Sequence, residues 1–380
     1  MDIRTCYCRN RSCVVYGQSG HQAQLRPRGT HNHAPRFECA ACGHLVFART
    51  GTAYAGIRVD EATYQMGAKL LAEGVAIRAT ARLLEVDKDT VCGWLPGLGQ
   101  HCARVMAYHF RNLHLTECQL DELWTFVYKK EEHLDPIEQI AGVYGDTWIW
   151  IAFVPTWKLV PAWVVGKRTL ENAKLLVRRL RSTTDGHIPL FTSDDLPHYA
   201  HALLEEYGVM VTPPRKPGPG RPPLPRKVPP EDLVYAVVVK QRRNGHLDTV
   251  STYIVYGTSE QVAAMLEASP VSATISTYAV ERNNLTIRQH SRRVGRRVNA
   301  FSKERDYLEY QLALAFAYYH FVMPHRGLRQ RLEQPVPTKG LNGSPKKWQE
   351  RTPAMAAGLT DHIWTMDELL SFRAPPKDMW

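Results

Sequence analysis

Three short acidic stretches carry the residue types for divalent-cation chemistry. Asp121-Glu122 lies inside Cys118-Gln119-Leu120-Asp121-Glu122-Leu123-Trp124-Thr125-Phe126-Val127, and Asp194-Asp195 ends the apolar run Ile188-Pro189-Leu190-Phe191-Thr192-Ser193. Glu281 stands in Val280-Glu281-Arg282-Asn283-Asn284-Leu285-Thr286-Ile287-Arg288, ahead of Arg292-Arg293 and Arg296-Arg297. Arginines suit phosphate binding, and a lone carboxylate among them works against it. A divalent cation removes the conflict, because it neutralises the acid and polarises a phosphoryl oxygen. A salt bridge from Glu281 to Arg282 or Arg288 would explain this segment taken alone; the two upstream acid pairs favour a metal. Convergent carboxylates are how a protein holds two Mg²⁺ (or Mn²⁺) ions for in-line displacement at phosphorus.

The elements that must position these acids are legible in outline. β-Branched and aromatic residues alternate around Asp121-Glu122, which predicts a strand. A second short strand ends at Asp194-Asp195, and Leu196-Pro197-His198-Tyr199 opens a helix with proline in its first turn, where a missing N–H costs least. Side chains alternate across a strand, so Asp194 and Asp195 point to opposite faces, as do Asp121 and Glu122. Only one of each pair is expected at the metals. Glu281 is expected at the head of a helix whose other polar residues are mostly arginine. Trp148 to Val165, broken by Pro155, Lys158 and Pro161, reads as buried strands rather than a membrane span.

Asp121-Glu122-Leu123-Trp124, then Ser193-Asp194 with Pro197-His198-Tyr199, then Glu281-Arg282-Asn283-Asn284-Leu285 running to Asn299-Ala300-Phe301-Ser302-Lys303, resemble the three acidic blocks of DDE transposases. The likeness is to the insertion-sequence-one family of prokaryotic transposases, and it covers most of the chain. It implies an α/β, ribonuclease-H-like catalytic domain in which Asp121, Asp194 and Glu281 hold the metals. The match through Pro197 and Tyr199 selects Asp194 over Asp195, and Asp121 is preferred to Glu122 on the same grounds. It implies cleavage and strand transfer on double-stranded DNA, at element ends and at a target, by a homo-oligomer in a cytoplasmic, nucleoid-associated setting. Arg282, Asn284, Arg288, Arg292, Arg293, Arg296 and Arg297 would then contact DNA. His320 and Met323 stand where the family usually has Asn and Arg, so no role is assigned there. A transposase-derived regulator without catalysis, or a ribonuclease-H-like nuclease, is the alternative.

One departure is the 86 residues between Asp194 and Glu281 (281 − 194 − 1). They imply an insertion, at about 212–275. Its proline-, glycine- and arginine-rich tract, from Thr212 through Gly220-Arg221-Pro222 to Pro230, cannot pack as helix or central strand. It reads as an extended linker or arm: a linker would be basic only for solubility, and an arm would place Arg221 in an A·T-rich minor groove. Leu233–Lys240 and Thr249–Tyr256 read as a hairpin turned at Asn244-Gly245, and 259–268 as a short helix. The expectation is a small β-hairpin module tethered to the catalytic core.

Five of the eight cysteines fall in the first 42 residues. Cys8-x4-Cys13 and Cys39-x2-Cys42 supply four thiolates for one structural Zn²⁺ in a zinc-ribbon-like head. Cys6 competes with Cys8, and His31, His33 or His44 with one thiolate; a disulfide pair is the other reading. Next, Thr63–Glu73, Ile77–Leu84 and Thr90–Leu95 predict a helix-turn-helix whose reading face includes Lys88, Asp89 and Thr90. Tyr307–Phe321 is apolar at helical spacing and is expected beside the catalytic sheet. The domains expected are a head at 1–52, a helix-turn-helix at 58–105, a catalytic domain at 117–325 and a C-terminal tail at 326–380. A length of 380 residues fits such a division, and the net charge of +11 suits a polyanionic partner. The polar, cysteine-containing first residues do not read as a secretory leader.

Overall fold

The computed structural model describes residues 3–31, 34–214, 223–337 and 344–376. They form two compact units: residues 1–109, 290–292 and 306–380 in one, 110–289 and 293–305 in the other. Among the described residues no helix is long and apolar enough to cross a membrane.

The first unit opens with a three-stranded antiparallel sheet of β1 (Leu25–His31), β2 (Ala34–Cys39) and β3 (Leu45–Phe47). Three helices follow: α1 (Glu61–Ala72), α2 (Ile77–Leu84) and α3 (Lys88–His109). Asp60 caps α1 by accepting from the Thr63 amide at 2.8 Å, and Gly74 ends that turn at φ +80°. Helix α3 runs well past the expected Leu95 despite Pro96 in its interior. The buried stripe Val91, Trp94, Leu95, Leu98, Cys102 and Val105 carries it across the missing hydrogen bond. Gly67 lets α1 close on α3, since a Cβ there would lie 2.5 Å from the Trp94 ring.

The second unit is built on one six-stranded sheet. Its strands are β4 (Glu117–Val127), β5 (Gly145–Val154), β6 (Leu159–Gly166), β7 (Leu190–Asp194), β10 (Tyr235–Arg243) and β11 (His246–Tyr256), and the order across the sheet is β11-β10-β7-β4-β5-β6. Between these strands lie helices α4 (Pro136–Ala141), α5 (Leu170–Arg181) and α6 (Pro197–Tyr207), and the short strands β8 (Val209–Val211) and β9 (Arg226–Val228). Helices α7 (Ser259–Ala268) and α8 (Tyr278–His290) follow β11. β4, β5 and β6 form an antiparallel meander; β7 is parallel to both β4 and β10. Leu120, Ile149, Ile151, Phe153, Val164 and Phe191 are fully or almost fully buried, so the sheet owns a substantial core.

Two expectations about the insertion are corrected here. The hairpin forms with its turn at Asn244-Gly245, both at positive φ, but it is no separate module. Tyr235, Ala236, Val237 and Val238 are buried and pair with Phe191, Thr192, Ser193 and Asp194, so β10 is a structural strand of the sheet. The arm is not simply extended: its flanks β8 and β9 pair as an antiparallel ribbon, and Lys227 meets Glu205 at 3.0 Å. Arg221 and the rest of 215–222 lie outside the described residues.

The chain then returns to the first unit through α9 (Arg305–Ala317), strands β12 (Gln330–Val336) and β13 (Lys346–Gln349), and helices α10 (Pro353–Ala356) and α11 (Met366–Ser371). Tyr307–Phe321, expected with the catalytic sheet, belongs instead to the helical unit. Gln311 donates to the Leu71 carbonyl at 2.9 Å, and Gly99 admits Tyr310, whose Cα would lie 2.4 Å from a Cβ there. Residues 326–380 are more than a tail. Leu369 and Leu370 are buried, the Leu370 carbonyl accepts from the Ala53 amide at 2.8 Å, and Tyr54 donates to Asp367 at 2.7 Å.

Candidate metal centres

The sheet positions the first two acids. The β4–β7 ladder runs in parallel register to Leu120 opposite Ser193, and β7 ends one residue later at Asp194. Asp121 and Asp194 thus meet where the ladder stops. Carboxylate oxygens of Asp121, Glu122 and Asp194 all lie within 4.8 Å of one another. Glu122 was expected on the face away from Asp121. Beyond Leu120 no β7 residue pairs with β4, so side chains from both faces can turn around that edge to one point. The second pair behaves as alternation predicts: Asp195 is exposed and accepts from Tyr253 at 2.6 Å, outside the group.

Each acid is held. Glu122 accepts from Tyr199 at 2.9 Å and from Arg168 Nε at 2.8 Å. Asp121 Oδ1 accepts from the Glu122 amide at 2.8 Å, and its Oδ2 from Asn284 Nδ2 at 2.7 Å. Asp194 Oδ1 and Asn284 Oδ1 are buried without a hydrogen-bond partner. Burial pushes the Asp121 carboxyl up to about 8, helped by the charges of Glu122 and Asp194. Burial and Glu122 likewise push Asp194 up to about 6, against the pull of Arg168 and Lys240. Carboxyls raised by burial and by one another are a site short of positive charge.

Glu281 occupies the first turn of α8, as expected. The Val280 amide donates to Gln119 Oε1 at 2.9 Å, which ties the helix start to β4 two residues before Asp121. Glu281 itself is paired with Lys240 and accepts from Thr277 at 2.5 Å, and it lies outside the 4.8 Å group. Its charge still contributes to raising Asp121 and Asp194.

The arginine block does not form one helical face. Helix α8 ends at His290, Arg292–Val294 is a 3-10 turn, and Arg297 has φ +54°. Arg282, Arg292, Arg296 and Arg297 are exposed. Arg288 turns inward to the carbonyls of Val294 (2.6 Å) and Trp124 (3.3 Å), where burial lowers it to about 10. Arg293 donates to Ser302 at 3.0 Å. Asn284, expected on DNA, is buried against Asp121. Sequence reasoning missed Arg168 and Lys240. The one signal for Lys240 was a charge closing the apolar run Val237-Val238-Val239.

In the first unit, Cys8, Cys13, Cys39 and Cys42 bring their sulfurs within 4.8 Å of one another. Cys8 and Cys42 are 3.6 Å apart, and Cys13 and Cys39 3.7 Å. Backbone turns shape both knuckles: the Cys13 amide donates to Asn10 O at 2.9 Å, and Gly43, at φ +72°, donates to Cys39 O at 2.8 Å. Burial pushes the Cys8 thiol up to about 12, while hydrogen bonding from the His44 backbone lowers Cys42 to about 7. Cys6 packs instead with Phe37, Val46 and Ala48. His31 stacks edge-on against Phe47 at 5.0 Å, and His44 offers its carbonyl to the Cys39 amide. His33 lies outside the described residues. In the same unit Lys88, Asp89 and Thr90 are exposed at the start of α3, with Lys88 and Asp89 paired at 3.0 Å. No family model matches the sequence, and no curated protein matches it.

Proposed function

We propose that this chain is a DNA transposase: a metal-dependent enzyme that cuts DNA at the ends of an insertion element and joins the freed strands to target DNA. The observation that carries the reading is the convergence of Asp121 and Asp194 from separate strands, with Glu122 beside them and a buried Asp194 oxygen left unpaired. A meander leading into parallel strands is compatible with the ribonuclease-H-like core that the motif resemblance implies.

Asp121, Asp194 and Glu281 would hold two Mg²⁺ or Mn²⁺ ions, and Glu122 is near enough to contribute. Such ions supply charge neutralisation at the phosphate, an activated nucleophile and stabilisation of the leaving oxygen. The protein supplies orientation. Asn284 fixes the Asp121 carboxylate, Tyr199 and Arg168 fix Glu122, and Gln119 sets the start of α8. Arg288 staples α8 to β4 from inside, leaving Arg282, Arg292, Arg296 and Arg297 for DNA phosphates. The four thiols suit Zn²⁺, because thiolates about 2.3 Å from a tetrahedral ion are about 3.8 Å apart, close to the spacings found. The exposed Lys88, Asp89 and Thr90 give a helix-turn-helix its DNA-reading residues.

The test is Mn²⁺-dependent cleavage and strand transfer on DNA from the flanks of the chain's own gene, with Asp121→Ala, Asp194→Ala and Glu281→Ala in parallel. Cleavage lost in all three, with DNA binding retained, is expected. An active Asp194→Ala protein removes the reading, and cleavage without preference for element ends turns it to a nuclease.

A further inference from the structure

Strand β10 is apolar and buried from Tyr235 to Val238, and Lys240 lies two residues beyond. Val238 pairs with Asp194 at the last rung of the β7–β10 ladder, so Lys240, on the same face, clears the end of β7. Its Nζ donates to Thr277 Oγ1 at 2.8 Å and is ion-paired with Glu281, with 27% of the side chain exposed. Thr277 in turn donates to Glu281. Across the gap, the Lys240 charge acts on Asp194 and lowers it. One ammonium is thus coupled to the helix acid by contact and to a strand acid through space.

The surroundings call for more positive charge than they have. Among the described residues, Asp121, Glu122, Asp194 and Glu281 face two cations, Arg168 and Lys240. Asn284, 7% exposed, spends its Nδ2 on Asp121 and leaves Oδ1 unpaired. Arg168 binds Glu122 through two nitrogens, which fixes it. Lysine is a compact charge on a flexible stem with three donors, and Thr277 remains as its partner if Glu281 leaves.

We propose that Lys240 is a positioning residue that serves as an exchangeable internal counter-ion of the carboxylate centre: it holds Glu281 in the metal-free protein and yields it to arriving divalent cations. This rests on the metal-binding reading given above. Lys240 therefore sets metal affinity by competition. It holds the acids ready without cations, and each binding event must displace it and overcome its charge.

The experiment is calorimetric titration of the full-length protein with Mn²⁺ at one fixed pH for wild type, Lys240→Met, Lys240→Arg and Glu281→Gln. A unit charge a few ångströms away in a partly solvated site is worth about tenfold in cation affinity. Lys240→Met is expected to bind Mn²⁺ about that much more tightly, Lys240→Arg to stay near wild type, and Glu281→Gln to bind more weakly. Lys240→Met that folds and binds no more tightly than wild type overturns the inference while the metal centre stands. Wild type that takes up no Mn²⁺ removes the metal reading and this inference with it. Should Lys240→Met fail to fold, the side-chain ammonium resonance of Lys240 is followed in wild type during Mg²⁺ titration: displacement shifts it, and an unmoved signal overturns the proposal.

Discussion

The thiol centre and the carboxylate centre place comparable demands on very different amounts of structure. Cys8, Cys13, Cys39 and Cys42 lie within a short stretch of chain, on turns with small groups of buried residues such as Cys6, Phe37, Val46 and Ala48 around them. Asp121, Glu122 and Asp194 stand on a sheet whose core is complete without them. In the head, ligands and fold are nearly one thing, so a metal there would supply folding energy. In the sheet, the fold comes first and forces carboxyls together, so the metal-free site is a cost that the core bears. Removing metal should therefore unfold one region and leave the other standing.

The largest effect tests that contrast directly. Chelation, or Cys39→Ser, is expected to abolish amide protection across residues 3–50 while protection in β4, β5 and β6 persists. Structural zinc in small domains is worth about 10–16 kcal/mol, so loss of the head should be complete. Hydrogen exchange with mass spectrometry reads both regions at once, and a head that keeps its protection breaks the comparison. Next, Asp121→Ala and Asp194→Ala should lower strand cleavage by roughly a thousandfold with thermal unfolding still cooperative. Steady-state cleavage assays and calorimetry check the two halves of that statement.

The third effect has a sign that depends on pH. The Asp121 carboxyl, ordinarily near 3.8, sits at about 8 in the folded protein. As pH rises from 4 to 8 the unfolded chain gives up this proton first, so metal-free stability falls across that window. Asp121→Asn should raise the metal-free melting temperature at pH 8.5 and leave it unchanged near pH 3.5. Melting curves in chelator at both pH values test it, and a gain that does not vary with pH defeats the electrostatic account. The smallest effect belongs to Asp195, whose described contact is with Tyr253 at the sheet edge. Asp195→Ala should leave cleavage within about threefold of wild type, since an exposed hydrogen bond is worth about 1 kcal/mol or less; a dead variant would move the metal site.

Local pattern made much of this legible. The strands around Asp121 and Asp194, the helix opened by Pro197, the short helix at 259–268 and the Asn244-Gly245 turn all appear at or near the expected positions, because alternation, proline and turn chemistry are properties of adjacent residues. Non-local pairing was not legible. The hairpin was read correctly as a hairpin and wrongly as a module, since nothing within Tyr235–Val238 announces that its partner is Phe191–Asp194. Glu122 was set aside by an alternation rule that assumes neighbours on both sides of a strand, and the end of β7 removes one of them. Arg288 and Asn284 looked like DNA contacts because helical spacing gives a face without saying which way it is turned.

The way the two units divide the chain also sets the order in which they can be made. All residues of the sheet unit, 110–289 and 293–305, have been synthesised once residue 305 is reached. The helical unit begins earlier and finishes later, because Leu71, Ala53, Tyr54 and His101 each take a late partner, among Gln311, Asp367, Leu369 and Leu370. At roughly 5–20 residues per second, the 65 residues from 305 to 370 take about 3–13 s to make. For that interval a nascent chain holds a sheet able to close and a helical unit still lacking its last helix. A transcript cut short in this window would yield a protein with every acid of the carboxylate centre and an unfinished α1–α3 bundle.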